Sequence, residues 1–282
     1  MTLRFRRLLV AVSLVAVCCS LAVCGSGDSD PPGPSAAAPT HGPSSAHWFG
    51  FETGTAWQWQ LTGEVDTTVD ADVFDIDLFD ATDDDLAALQ ERDVFLVCYI
   101  SVGTFEEWRA DADAFPDEVL GNTYDEYPDE RWLDVRRIDL IAPVLEARFD
   151  LCKERGFHAV EADNVDGWDN ETGFEISRAD QLAFLQWIAS AAHDRDLLVG
   201  LKNVPDLIAY VEPNFDFLVT EDCFADGWCE ATRPFLEAGK PVFAAEYTDT
   251  GTEFDEACNE AAALGIRMIL KDRDLDWWRD EC

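Results

Sequence analysis

The sequence is poor in positive charge. Lysine and arginine total 20 of 282 residues against 58 aspartates and glutamates, a formal net charge of -38, and lysine occurs only at Lys153, Lys202, Lys240 and Lys271. With no basic patch to meet phosphates, a nucleic-acid partner is excluded. No CxxC pair is present and His158 and His193 lack ligand spacing, so a zinc site is not expected. No glycine-rich loop follows the first strand-like stretch, which argues against a dinucleotide cofactor. The acidic stretch Glu161-Ala162-Asp163-Asn164-Val165-Asp166-Gly167 superficially resembles a calcium loop. Aligning Gly167 with the invariant glycine, however, puts Ala162 at the first ligand position and Gly173 at the last, where a carboxylate is needed. Neither metal nor cofactor is expected.

What is present is acid spread over a core-forming chain. Disorder is the ordinary reading of so much charge, but 48% hydrophobic content with 10 Trp and 18 Phe describes a protein that buries a core. Abundant carboxylates with few lysines fit work in concentrated salt, where self-repulsion is screened within about 3 Å at 1 M. Residues 1–24 read as an export signal: Arg4, Arg6 and Arg7 precede an apolar run from Leu8 to Val23. Leu21-Ala22-Val23-Cys24 resembles a lipoprotein box with Val23 where a small residue is usual. Lipid attachment to the membrane through Cys24 and simple secretion both stay open, and Arg6-Arg7 admits a twin-arginine route. Either way the expected location is extracellular or at the cell surface. Residues 25–46, rich in Gly, Ser, Pro, Asp and Ala, read as a flexible linker, leaving 47–282 as one folded domain. Beyond the signal, Cys98, Cys152, Cys223, Cys229, Cys258 and Cys282 make an even set in an exported chain, so disulfides are expected. Cys223 with Cys229 is the favoured pair, because the loop between them is short and contains Gly227. Cys98 with Cys152 and Cys258 with Cys282 follow more weakly, six cysteines allowing on the order of 15 connectivities.

Along the folded part, strand and helix patterns alternate. Strands are expected at Trp57–Leu61, Val73–Phe79, Val94–Ser101, His158–Val160, Leu197–Leu201, Phe217–Thr220, Val242–Ala245 and Arg267–Leu270, with helices after most of them. Eight strands alternating with helices predict an α/β protein, a (β/α)8 TIM-type barrel. The connection between the first two strands is too short for a full helix and marks where the barrel would be imperfect. The stretch from Thr104 to about Asp139 reads as a long irregular loop, a length usually tied to function.

Chemistry gathers where the strands stop. Their ends contribute Gln60, Asp77, Tyr99 with Ser101, Asp163, Lys202, Glu221, Glu246 and Lys271 with Asp272; Asn164, Asp166 and Tyr247 follow closely. In a barrel these ends converge on one face, so Asp163, Glu221 and Glu246 could share a cleft. Carboxylates with aromatic platforms suit a glycoside hydrolase, in which one acid protonates the leaving oxygen and the other attacks or activates water.

Several linked stretches resemble glycoside hydrolase family 114, the endo-α-1,4-polygalactosaminidases. They are Trp57-Gln58-Trp59-Gln60-Leu61-Thr62-Gly63, Cys98-Tyr99-Ile100-Ser101-Val102-Gly103 with Glu106 and Arg109, Glu161 to Gly167, Gly200-Leu201-Lys202-Asn203, Glu221-Asp222-Cys223 with Cys229, and Gly239 to Phe243 with Glu246-Tyr247. The departures are Ala162, where the family tends to have proline, and Asp222, where it tends to have glutamine. The resemblance implies a (β/α)8 barrel with Asp163 and Glu221 as the catalytic pair, acting on internal α-1,4 linkages of a galactosamine-containing polysaccharide. Gln60, Asp77, Tyr99, Asn164, Asp166, Lys202, Glu246 and Tyr247 are the candidates for binding it. Asp163, beside Asn164 and within reach of Lys202, suits a nucleophile or base; Glu221, flanked by Asp222 and facing Glu246, would be pushed toward protonation and suit the acid. The excess of carboxylates at the strand ends suits a cationic amino sugar, and the chain is expected to act as a monomer. A non-catalytic carbohydrate-binding or envelope barrel, or a glycosidase for another sugar, is the competing reading.

Overall fold

The computed structural model describes residues 55–124 and 127–282. The expected signal, the linker and Cys24 lie outside them. In chain order the elements are β1 (Trp57–Gln60), β2 (Val73–Asp77), α1 (Asp83–Glu91), β3 (Phe95–Ser101), β4 (Thr104–Glu106), β5 (Leu120–Tyr124), β6 (Tyr127–Leu133) and α2 (Ile138–Glu154). Then come β7 (Ala159–Asp163), α3 (Arg178–His193), β8 (Leu198–Lys202), α4 (Ile208–Val211), β9 (Phe217–Glu221), α5 (Arg233–Glu237), β10 (Val242–Tyr247), α6 (Phe254–Leu264), β11 (Arg267–Lys271) and β12 (Asp280–Glu281). Eight strands, β1-β2-β3-β7-β8-β9-β10-β11, run parallel in one strongly curled sheet, with β12 added antiparallel on β11. The predicted (β/α)8 barrel is the fold.

Strand parity sorts the side chains into two cores. Odd-numbered positions of β1, β2, β3, β7, β9, β10 and β11 point inward, so Trp57, Trp59, Val73, Val97, Ala159, Phe217, Val219, Phe243, Ala245 and Ile269 fill the barrel with Leu198 of β8. Opposite positions such as Phe74, Ile76, Leu96, Val160, Leu201 and Leu218 face the helix layer of Leu89, Leu145, Phe149, Phe184 and Ile188. Gly200 sits on the inner face because no larger residue fits: a Cβ there would lie 2.3 Å from the Phe217 ring. Helix starts follow local rules, Thr82 capping α1 with Asp85 in return and Ser177 capping α3 with Asp180.

Three departures from the sequence reading stand out. The stretch after β3 is not irregular, since β4, β6 and β5 form a separate antiparallel sheet in that order. Alternation is missing from Tyr127-Pro128-Asp129-Glu130 because the first three of these residues are exposed and only Glu130 is buried. No helix joins β1 to β2, as expected, yet these two strands pair in regular parallel register. The irregularity lies on the other side of β1. There no β1–β11 ladder is present among the described residues, and the segment 272–282 occupies the seam. The Leu275 carbonyl accepts from the Leu61 and Thr62 amides at 2.9 and 3.2 Å, Gln58 donates to the Trp277 carbonyl at 2.7 Å, and Arg279 reaches the Trp57 carbonyl. All three expected disulfides are present: Cys98–Cys152 joins β3 to α2, Cys223–Cys229 closes the loop after β9, and Cys258–Cys282 pins the seam segment to α6.

Candidate active site

Three neighbouring strands end in the same way. Asp163, Lys202 and Glu221 are the last inward residues of β7, β8 and β9, and each is followed by a residue in the left-handed backbone region: Asn164 (φ 59°), Asn203 (φ 50°) and Asp222 (φ 50°). Asn and Asp tolerate that conformation better than other non-glycine residues, which is why the chain turns there at modest cost. Each turn residue then bonds a neighbouring strand. Asn203 accepts the Glu221 amide at 2.9 Å and donates to its carboxylate at 3.2 Å; Asp222 accepts the Tyr247 amide at 3.2 Å; Asn164 donates to Ser101 of β3 at 2.9 Å.

At the centre stands Lys202, 2% exposed. Its Nζ lies 3.0 Å from Glu221, 3.3 Å from Asp163 and 3.3 Å from Glu161. Burial alone would drive this ammonium toward neutrality, but Asp163, Glu221 and Glu161 together outweigh it and hold it charged, its pKa well above the usual lysine value. It also rests 4.7 Å above the centre of the Trp59 ring, whose indole N–H donates to Glu161 at 2.9 Å. Below them Asp75 is buried against Glu161; burial first, and then the Glu161 charge, raise its pKa well above the usual range.

Two phenols complete the rim. Tyr99 donates to Asp163 at 2.9 Å and Tyr247 to Glu221 at 2.5 Å. Burial and the adjacent carboxylates raise both phenol pKa values, so both remain donors. Arg273 covers the Tyr247 ring at 3.8 Å and pairs with Asp222 at 2.8 Å.

Comparison with known proteins decides what this constellation belongs to. The model of glycoside-hydrolase family GH114 matches residues 37–282. The chain belongs to GH114. A crystal structure of Aspergillus fumigatus Ega3 in complex with galactosamine is 35% identical with a TM-score of 0.77, covering 82% of this chain and 96% of that one. The glycoside hydrolase domain of PelA from Pseudomonas aeruginosa shares the fold at 14% identity, with a TM-score of 0.66 over 80% of this chain and 98% of its own. An uncharacterised protein of Deinococcus radiodurans is 26% identical over a 263-position alignment that covers 78% of this chain and 81% of that protein. As a GH114 member, this protein is a glycoside hydrolase.

Within this GH114 barrel, Asp163, Lys202, Glu221, Tyr99 and Tyr247 come together, with Asn164 directly behind Asp163. Other expected site residues are held elsewhere. Glu246 has the outward parity of Val242 and Ala244; it is fully buried, and its two oxygens accept the Phe224 and Ala225 amides at 2.9 and 3.0 Å. Burial raises it to about 7 despite those bonds. Gln60 likewise turns outward and organises the β1–β2 loop through the Thr62 and Glu64 carbonyls and the Asp66 amide. Asp77 points inward, but Arg109 takes both its oxygens at 2.9 and 2.5 Å and the Phe79 and Asp80 amides take more. Lys271 is buried in the seam, donating to the Asp276 and Trp278 carbonyls. Asp166 is half-buried and held by Asn170 at 2.9 Å.

The expected push of Glu221 toward protonation does not occur. Burial works in that direction, but Lys202, Tyr247 and Asn203 outweigh it and hold the carboxyl below its ordinary range, while Glu246 faces away and Asp222 is paired with Arg273. Sequence reasoning also gave no role to Glu161, Asp75, Trp59 or Asn203. Parity offered the signal: Glu161 and Asp75 sit two residues before Asp163 and Asp77, so they share the inner face.

Proposed function

We propose that this GH114 enzyme is an exported endo-hydrolase of α-1,4-linked galactosamine-containing polysaccharide, with Asp163 and Glu221 as the reacting pair. The observation that carries the reading is the convergence of these two carboxyls on one buried ammonium at the carboxyl edge of the barrel. Because each touches the same Nζ, two of their oxygens lie no more than about 6.3 Å apart, a ceiling between the retaining and inverting separations, and we take the retaining course as the reading. One carboxyl would then protonate the glycosidic oxygen while the other attacks the anomeric carbon, and the first, deprotonated, activates the water that releases the sugar. Lys202 supports this division of labour. When one carboxyl takes the proton, the ammonium's attraction falls on the other and keeps it ionised.

The substrate class is supported by charge as well as by the galactosamine bound to Ega3. Asp77, Glu246 and Lys271 do not set the sign of the cleft, as the sequence reading had them; Glu161, Asp163 and Glu221 around one lysine do, and the sum stays negative. A sugar ammonium fits such a site, while an N-acetyl or uronic group gains nothing or is repelled. Three disulfides fit an oxidising, extracellular location. The test is direct: incubate the domain with α-1,4-galactosamine polymer and weigh the products. Release of internal oligomers supports the reading; intact polymer, with hydrolysis of another glycan, overturns the substrate.

A further inference from the structure

The turn that follows Asp163 is gripped by β3 of the barrel and by the inserted sheet together. The Asn164 side-chain amide donates toward Ser101 Oγ at 2.9 Å, Thr104 Oγ1 at 3.1 Å and Glu130 Oε1 at 3.3 Å, drawing on β3, β4 and β6. The Thr104 hydroxyl itself donates to Glu130, and the Ser101 and Thr104 hydroxyls bond each other. A hydroxyl has one proton to give, so this chain of donors needs an acceptor at its end. Glu130 is that acceptor. It is buried, forms no ion pair among the described residues, and comes from the inserted sheet, 34 residues from Asn164.

The grip has a result at Asp163. The left-handed turn directs the Asn164 peptide N–H onto Asp163 Oδ1 at 2.7 Å, the oxygen that also faces Lys202. The same strand end is held by the Val102 and Gly103 amides, which donate to the Asp163 carbonyl at 3.1 and 3.3 Å. Gly103 is pressed so close that a Cβ would lie 1.6 Å from the Asn164 carbonyl oxygen, so the turn has no room to relax in that direction.

We propose that Glu130, supplied by the inserted β4-β6-β5 sheet, is a positioning residue for the Asp163 carboxyl, acting through the Asn164 turn. This rests on Asp163 being one of the two reacting carboxyls. The groups facing Glu130 are Thr104 and Glu106 of β4, Tyr99 of β3, Asp163 and Asn164 at the end of β7, and Arg109 beyond β4. Burial, with Glu106 and Asp163 adding to it against the Thr104 bond and Arg109, raises the carboxyl to about 7. Above that pH Glu130 accepts from both Thr104 and Asn164. Below it, the carboxyl carries a proton of its own and the donors compete.

The experiment measures kcat, KM and their pH dependence for Glu130→Ala, Glu130→Gln, Asn164→Ala, the Glu130→Ala/Asn164→Ala double variant and Asp163→Asn, with Leu89→Ala under α1 as a destabilised control. We expect Glu130→Ala to lower kcat about tenfold with KM within twofold, and Glu130→Gln, which still accepts, to recover most of the loss while lacking the kcat limb near pH 7. The double variant should be no slower than Asn164→Ala alone, because both changes break one link. Wild-type kcat in Glu130→Ala, additive losses in the double variant, or a loss matched by Leu89→Ala at equal thermal destabilisation would overturn the proposal. An active Asp163→Asn would instead remove the assignment of Asp163, a separate outcome.

Discussion

At the scale of single residues, the site depends on which side chains share Lys202. Asp163→Asn and Glu221→Gln are each expected to lower turnover by at least about 10²-fold with an unchanged thermal transition, since each removes a group acting in the transition state. Near-normal turnover in either variant would refute the pair. An aryl glycoside with a good leaving group then separates the roles, restoring the first step only in the variant that lacks the acid. Lys202→Met leaves Glu161, Asp163 and Glu221 without their common cation, so a stability loss of about 3–5 kcal/mol is expected, visible as a lower denaturation midpoint. Much of this was legible in advance, because polar residues bunched where apolar runs stop mark the working edge of a barrel. The errors arose from side-chain parity. Glu246 and Tyr247 are adjacent in the sequence, yet only Tyr247 shares the inner face with Phe243 and Ala245. Glu246 was credited with a charge in the cleft that it spends on two backbone amides of the neighbouring loop.

At the scale of elements, periodicity located the parallel strands, buried on both faces, and the amphipathic helices packed over them, and failed at the inserted sheet and the seam. The inserted sheet is exposed at the start of β6 and its register is bulged, so neither alternation nor an apolar run announced it. The seam segment was equally unreadable, being held by bonds to Trp57, Gln58, Leu61 and Thr62 at the other end of the domain's sequence. Lys271 gives that seam a pH signature. Burial lowers its pKa from 10.5 to about 8, so both folded and unfolded chains carry the charge below pH 8 and the folded one bears the full penalty. Between about pH 8 and 10.5 the unfolded chain binds the extra proton, and the stability contributed at this position rises with pH. Subtracting the pH profile of Lys271→Met from that of the wild type should expose this rise; a flat difference across the window would show that the lysine is not desolvated as described.

At the scale of the whole molecule, a net charge of -38 sets the response to salt. Carboxylates that repel one another in dilute buffer are screened near 1 M, so the melting temperature is expected to climb with sodium chloride; a flat or falling curve would refute this. Substrate choice should behave differently. Screening within about 3 Å at molar salt abolishes long-range steering but leaves direct contacts, so a preference in kcat/KM for fully deacetylated over acetylated α-1,4-galactosamine chains should persist at molar salt. Equal rates there would mean that the cleft does not read the amine.

The seam also imposes an order in time. Residues 272–282 follow all eight parallel strands in the chain, so while the protein is being synthesised the curled sheet has every strand before it has the segment that bridges β11 to β1. Until then the backbone edge of β1 is unsatisfied and the barrel remains openable, with a strand edge free to pair wrongly. The Cys258–Cys282 bond ties that late segment to α6, so the closure of the seam is covalent as well as hydrogen-bonded.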